Sequence, residues 1–318
     1  MIDKLFLLFG IVGLGLAPDP QAEPESGLVE TSPQPTEVVE GDRDIYNRMT
    51  VPVTINGQGP FNFMVDTGAQ ATVVTHRLNE RMNFRPLGSA TLVGMASTAQ
   101  VQVVEVDGLE FAARVFDNLE APLLDSRDLG ADGILGLDSL QDMRVILDFR
   151  DNHIEVADSS VLQGNRGYEI IVRARSRLGR LIITSAKIDG VTTSVILDTG
   201  AQASMGNLAL RDKLRARRQA ETITTDVNGE QIRGDLHFVR KLDLGRVSLA
   251  NLSVSFADGP AFAALGLDKK PALILGMEDL RLFDRVAIDF ATHKVLFDLP
   301  EGVSGGERVN PIWQATRL

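Results

Sequence analysis

Hydrophobic positions along the chain alternate with polar ones far more often than they recur at intervals of three or four. Pro60–Val65 (PFNFMV) and Thr193–Asp198 (TSVILD) are short apolar runs rich in β-branched or aromatic residues. Two longer stretches, 101–116 and 237–256, alternate around the glycines at 108 and 245. This spacing predicts strands joined in hairpins. Helical spacing is confined to short segments: 75–82 and 207–218, and further along 137–143 and 277–283. The expectation is a mostly β fold with few short helices.

The pattern also repeats. VTING (Val53–Gly57) is answered by AKIDG (Ala186–Gly190), and DTGAQA occurs at Asp66–Ala71 and again at Asp198–Ala203, 132 residues later. ILGLDSL (Ile134–Leu140) is answered by ILGMEDL (Ile274–Leu280), and RVILDFRDNHIEV (144–156) by RVAIDFATHKVLF (285–297). The order of motifs is kept while the offset drifts through 140 to 141. Two copies of one unit predict two lobes related by a pseudo-twofold axis, over 45–160 and 161–300.

Composition changes the picture mainly at the ends. The net charge of −11 is concentrated between Pro18 and Asp44, where eight acids face one base and five of the thirteen prolines lie. That segment cannot bury enough apolar surface to offset its ordering entropy, and it reads as a disordered acidic tether. Before it, residues 1–17 place an uncharged apolar run, Leu5–Ala17, behind Lys4. The run is short for a bilayer span and suits a secretory leader. It predicts export to the periplasm or cell envelope, with the leader removed or kept as an anchor in the inner membrane. Residues 301–318 read as a tail that docks through Trp313. The remaining body is near neutral and lacks the basic footprint of a nucleic-acid binder.

With no cysteine, thiol nucleophiles, disulfides and Cys-ligated metals are excluded. His76, His153, His237 and His293 are scattered without metal spacing. Asp128–Gly133 starts like a calcium loop but has Gly130 and Ser139 where ligands belong. The residues therefore call for no metal and no cofactor. The basic run 211–218 reads as the solvated face of a helix.

A single Asp-Thr-Gly is an ordinary turn. Two identical copies, each preceded by a hydrophobic strand and followed by an Ile-Leu-Gly, are not. Met64-Val65-Asp66-Thr67-Gly68-Ala69, Ile196-Leu197-Asp198-Thr199-Gly200-Ala201, Ile134-Leu135-Gly136 and Ile274-Leu275-Gly276 together resemble the retropepsin-like aspartic proteases, in a single-chain, two-repeat bacterial form. The resemblance spans roughly residues 48 to 300. It implies two β-barrel lobes and an endopeptidase that hydrolyses an extended polypeptide with a water activated by Asp66 and Asp198. Two adjacent carboxylates share one proton, so one serves as base and the other as acid. The paired carboxyls of aspartic proteases are the established example of this division of labour.

The resemblance assigns supporting roles as well. Thr67 and Thr199 hydrogen-bond across to the opposite loop, Gly68 and Gly200 permit close approach, and the Ile-Leu-Gly segments pack beneath. Flap hairpins are expected at 92–102, with Gly94 near the tip, and at 224–234, with Asn228-Gly229 as the turn. Pepsin-like enzymes carry Ser or Thr where this chain has Ala69 and Ala201. Losing that donor raises the pair's pKa and predicts an optimum from mildly acidic to neutral. One chain supplies both halves, so a monomer suffices. Two alternatives stand: a non-catalytic peptide-binding or scaffold module of the same fold, and a protease active only as a homodimer.

Overall fold

The computed structural model describes residues 4–7, 37–40, 42–43, 49–141, 143–158, 168, 170–177, 179–214, 217–300 and 308–309. Each repeat opens with a hairpin. Met49–Ile55 runs antiparallel to Gln58–Val65 in the first, and Arg180–Ile188 to Val191–Leu197 in the second. Their turns, Asn56-Gly57 and Asp189-Gly190, have positive φ at all four residues, the backbone that right-twisted two-residue hairpins require. This is the local reason for VTING and AKIDG.

The inner strand of each hairpin ends at an aspartate and is flanked by an Ile-Leu-Gly strand. Gly133–Leu135 pairs in parallel with Phe63–Val65, and Ala272–Leu275 with Ser194–Leu197. Strands surrounded by others on both faces read as continuous apolar runs, which is why these segments lack alternation.

The fold is mostly β, with two barrel-like lobes. In the second lobe six strands close on themselves, the ring completed by Lys187↔Asp243 and Ile188↔Leu242. The first lobe is an eleven-stranded sheet around the same kind of apolar interior.

A six-stranded sheet joins the lobes, and the hydrophobic pattern did not announce it. Its central strands, Met143–Asp148 and Arg285–Asp289, come one from each repeat and run antiparallel. Arg144 faces Asp289 and Asp148 faces Arg285. These residues are counterparts at the 141-residue offset, so the register itself is twofold symmetric. The Arg144 guanidinium donates to Asp289 Oδ2 at 2.7 Å, with both side chains buried.

The helices are short. His76–Met82 is capped by the Thr75 hydroxyl, which accepts from Leu78 N, and it ends at Asn83 in the left-handed conformation. Leu137–Leu140 and Met277–Leu280 follow the Ile-Leu-Gly strands. The helix expected over 207–218 stops at Arg211, because Arg218 already begins the strand of the second hairpin arm. The basic run is accordingly not one helical face. Arg211 pairs with Asp212 and Asp235, and Arg218 with Asp235 and Glu221.

Within the segment expected to be an unstructured tether, Glu37–Glu40 pairs with His153–Val156, and Asp42–Arg43 with Met49–Thr50. Two adjacent valines, Val38-Val39, supply the β propensity for that edge. Lys4–Leu7, inside the expected leader, runs parallel to Ala90–Val93. Trp313 and the remainder of both ends lie outside the described residues. Among the described residues no helix is long and apolar enough to cross a membrane.

Candidate active site

Asp66 and Asp198 stand at the ends of equivalent strands, and both are fully buried. Each is gripped by its own turn. Asp66 Oδ1 accepts from Gly68 N at 2.7 Å and Ala69 N at 3.1 Å; Asp198 Oδ1 accepts from Gly200 N at 2.8 Å and Ala201 N at 3.0 Å. The carbonyls of Leu135 and Leu275 hold the two aspartate amides. The turns therefore orient one oxygen of each carboxylate, and the carboxyls interact with each other.

The two loops are bolted together by threonines. Thr67 N donates to Thr199 Oγ1 at 3.0 Å and Thr199 N to Thr67 Oγ1 at 3.2 Å. Each hydroxyl in turn donates to the carbonyl before the opposite aspartate, Thr67 to Leu197 O at 3.0 Å and Thr199 to Val65 O at 2.6 Å. Gly200 is dictated by this approach, since a Cβ there would collide with the Asp66 carboxylate.

Burial pushes the Asp198 carboxyl up to about 6, against the lowering effects of the Gly200 amide, Asp66, the Ala201 amide and Arg180. Removal from water penalises the charged form, and the neighbouring acid makes the pair titrate as a unit.

The Ile-Leu-Gly segments lie beneath. Ile134 and Ile274 line apolar clusters next to Ala69 and Ala201 respectively, and Leu135 and Leu275 enter the main core. Gly136 and Gly276 sit against the backbones of Ala71 and Ala203 so closely that neither has room for a Cβ.

Three sets of residues at the site escaped the sequence reading. Thr72 and Ser204, six residues after each aspartate, tie the loops to the short helices below. Asp138 accepts from Thr72 N and Oγ1, the latter at 2.7 Å, while the Ser204 hydroxyl donates to Asp279. Gly136 N and Gly276 N donate to these same hydroxyls at 3.3 and 3.0 Å. Burial pushes the Asp279 carboxyl up to about 6. The signal was present in the repeat, which carries a hydroxyl residue at 72 and again at 204.

The third is Arg180. It is fully buried, begins the first strand of the second repeat's hairpin, and reaches across to the first repeat's loop. Its Nε and Nη2 donate to Gly68 O at 3.1 and 2.7 Å. Burial pushes its guanidinium down to about 9, opposed by the charges of Asp66 and Asp198. Arg48 stands 132 residues earlier, the spacing of the two aspartates, and lies outside the described residues.

The hairpins expected as flaps carry their turns where the sequence put them. Gly94 N donates to Ser97 O at 2.7 Å, and Asp226 N to Glu230 O at 2.8 Å, with Gly229 at φ 78° between Asn228 and Glu230. Of the residues in the calcium-like stretch, Asp132 accepts from Asn62 N. Asp148, Asp151 and His153 could share a cation, but Asp148 Oδ1 already caps the amides of Arg150 and Asp151 in a hairpin turn remote in sequence from the two loops.

Two family models match the chain: gag-polyprotein putative aspartyl protease over residues 51–142 and aspartyl protease over 184–278. The chain thus carries two aspartyl-protease domains in sequence, one around each Asp-Thr-Gly, and belongs with the retropepsin-like aspartic proteases of two-repeat form. No curated protein matches it.

Proposed function

We propose that the chain is an aspartic endopeptidase in which Asp66 and Asp198 act as one catalytic pair. The observation that carries the reading is the burial of two carboxyls, one from each repeat, in loops that hydrogen-bond reciprocally through Thr67 and Thr199. Holding one proton between them, the ionised carboxylate takes a proton from a water as its oxygen attacks the scissile carbonyl carbon. The protonated carboxyl gives its proton to the carbonyl oxygen. The tetrahedral diol then collapses: the carboxyl that took the water's proton gives it to the amide nitrogen, the other carboxylate takes the proton of a diol hydroxyl, the C–N bond breaks, and the pair again holds one proton. The turn amides hold Oδ1 of each carboxylate fixed, so little reorganisation is needed during the reaction.

The substrate is an extended polypeptide, bound as an added strand with side chains in apolar pockets. The raised pKa of the Asp198 carboxyl supports an optimum from mildly acidic to neutral. Asp66→Asn or Asp198→Asn is expected to lower peptide turnover by about 10²–10⁴-fold, the span of a lost acid–base group. A chain that keeps its full effect on peptides with both substitutions is a binding module instead. Mixing the two single variants tests the homodimeric alternative: restored turnover would mean the pair forms between chains. The leader pattern supports export to the envelope, and a reporter fused after Asp44 that stays in the cytoplasm would overturn that placement.

A further inference from the structure

The two flap hairpins meet, and each plugs the other repeat's lobe. Met95, at the tip of the first hairpin, is 3% exposed and packs in the second lobe's cluster with Ile196, Ala201, Met205 and Ile274. Val227, at the tip of the second, is also 3% exposed and packs in the first lobe with Met64, Ala69, Val73 and Ile134. These linings are counterparts: Met64 and Ile196, Ala69 and Ala201, Val73 and Met205 stand 132 residues apart, Ile134 and Ile274 140. In both linings the alanine, Ala69 or Ala201, stands three residues after an aspartate of the pair.

The tips are clamped. Asp226 Oδ2 accepts from Ala96 N at 3.1 Å and from Ser97 Oγ at 2.8 Å, and Asn228 Nδ2 donates to Ser97 Oγ at 2.8 Å. Gly94 and Gly259 make the closure possible, since a Cβ on the first would strike Asp226 and on the second Met95. Beside Met95 a cavity of about 410 Å³ continues along Gly200–Met205 and under Ile223, so the second lobe's pocket extends beyond its plug.

We propose that Met95 and Val227 are stand-ins for substrate: they occupy the pockets that take the side chains flanking the scissile bond, and they must lift out before a peptide can enter. This rests on the peptidase reading and adds a substrate preference to it. The second lobe's pocket holds a long, unbranched, pliable side chain and has room to spare; the first holds a small β-branched one. Both linings are apolar, so a charged side chain would be desolvated there without a partner. The favoured substrates carry Met or Leu on one side of the scissile bond and Val, Ile or Ala on the other, and charged residues at these two places are rejected. A peptide competes with the plugs, so the flap clamp sets the threshold for entry.

The chain has no cysteine, which makes the clamp directly testable. In the full chain, Ser97→Cys/Asn228→Cys joins the two tips on oxidation, with completeness read by mass. The probes are fluorescent hexapeptides with Met-Val, Val-Met or Asp-Lys at the centre. The reduced pair is expected to cleave one of the first two and spare Asp-Lys. Oxidation is expected to cut turnover at least 100-fold, and reductant to restore it. With Asp66→Asn added, peptide binding by anisotropy is expected to follow the same pattern without chemistry.

Equal binding or turnover in the oxidised and reduced forms overturns the plug, as does equal handling of Asp-Lys. A chain that binds Met-Val or Val-Met peptide only when reduced, yet never cuts it with both aspartates intact, sinks the peptidase reading alone. One that neither binds nor cuts them sinks both. If the bridge does not form, Met95→Cys with Asp66→Asn gives the same information. Its thiol is expected to react with a thiol reagent at least ten-fold faster once the peptide is bound, and an unchanged rate overturns the proposal.

Discussion

Thr67 and Thr199 hold each other: the amide of each donates to the hydroxyl of the other, and each hydroxyl donates its own proton to the carbonyl of the residue before the opposite aspartate. Neither hydroxyl serves its own repeat. The bond set exists only when the two halves face one another, so it couples assembly of the lobes to alignment of the carboxyls.

Thr67→Ala or Thr199→Ala therefore leaves a buried carbonyl and a buried amide without partners. Each unsatisfied buried group costs about 1–3 kcal/mol, so a loss of about 2–6 kcal/mol in urea unfolding is expected, with a large drop in turnover. Serine at either place keeps the hydroxyl and is expected to retain most of both. Equal losses for Ala and Ser would mean that the methyl packing matters and the bonds do not.

Asp198 carries a pH signature. Its carboxyl is raised in the folded chain to about 6 from 3.8, so the folded state binds the proton more tightly. Its stabilising contribution is complete below about pH 4 and is lost as pH rises through 6. Asp198→Asn, which cannot ionise, is expected to gain stability over the parent at pH 7.5, on the order of 3 kcal/mol at most, and nothing comparable at pH 4. Thermal unfolding at the two pH values checks this. Turnover is expected to decline above about pH 6 as the shared proton leaves, and a profile peaking at pH 2–3 would contradict the raised pair.

Arg180 lowers the pKa of Asp198 through its charge, alongside its two bonds to Gly68 O. Its bonds to the loop carbonyl at Gly68 make it a positioning residue that also acts through its charge. Arg180→Met removes the charge, and the alkaline limb of the pH–rate profile, set by Asp198, is expected to move up. Arg180→Lys keeps the charge and is expected to hold the limb in place while losing turnover through the missing fork. A limb that does not move in the Met variant would leave Arg180 a packing residue.

Arg144 and Asp289 form a buried pair between the repeats. Arg144→Leu alone strands the carboxylate and is expected to cost about 3–5 kcal/mol, whereas the double change to Leu/Leu is expected to recover most of that. A double-mutant cycle by denaturant unfolding measures the difference.

Much of this molecule is legible locally. Alternation predicts the hairpins, Asn-Gly and Asp-Gly their turns, and the doubled DTGAQA and Ile-Leu-Gly the pseudo-symmetry, because each depends on residues within a few positions or on plain repetition. The helix expected over 207–218 shows the limit. Its propensity is real, but Arg211 and Arg218 find acids on the adjoining hairpin, and the chain must turn into that hairpin's strand.

What lay beyond the pattern depends on contacts between the repeats. Arg180 looks like any strand-start arginine until folding carries it to Gly68 in the other half. Met95 and Val227 read as hairpin-tip residues, which are ordinarily exposed, and folding buries each in the opposite lobe. Local spacing determines which face of a strand is apolar, and repetition determines that two aspartates are equivalent. Only the tertiary structure decides what those faces and carboxylates meet, because the partners lie in the other repeat and no short-range preference encodes them.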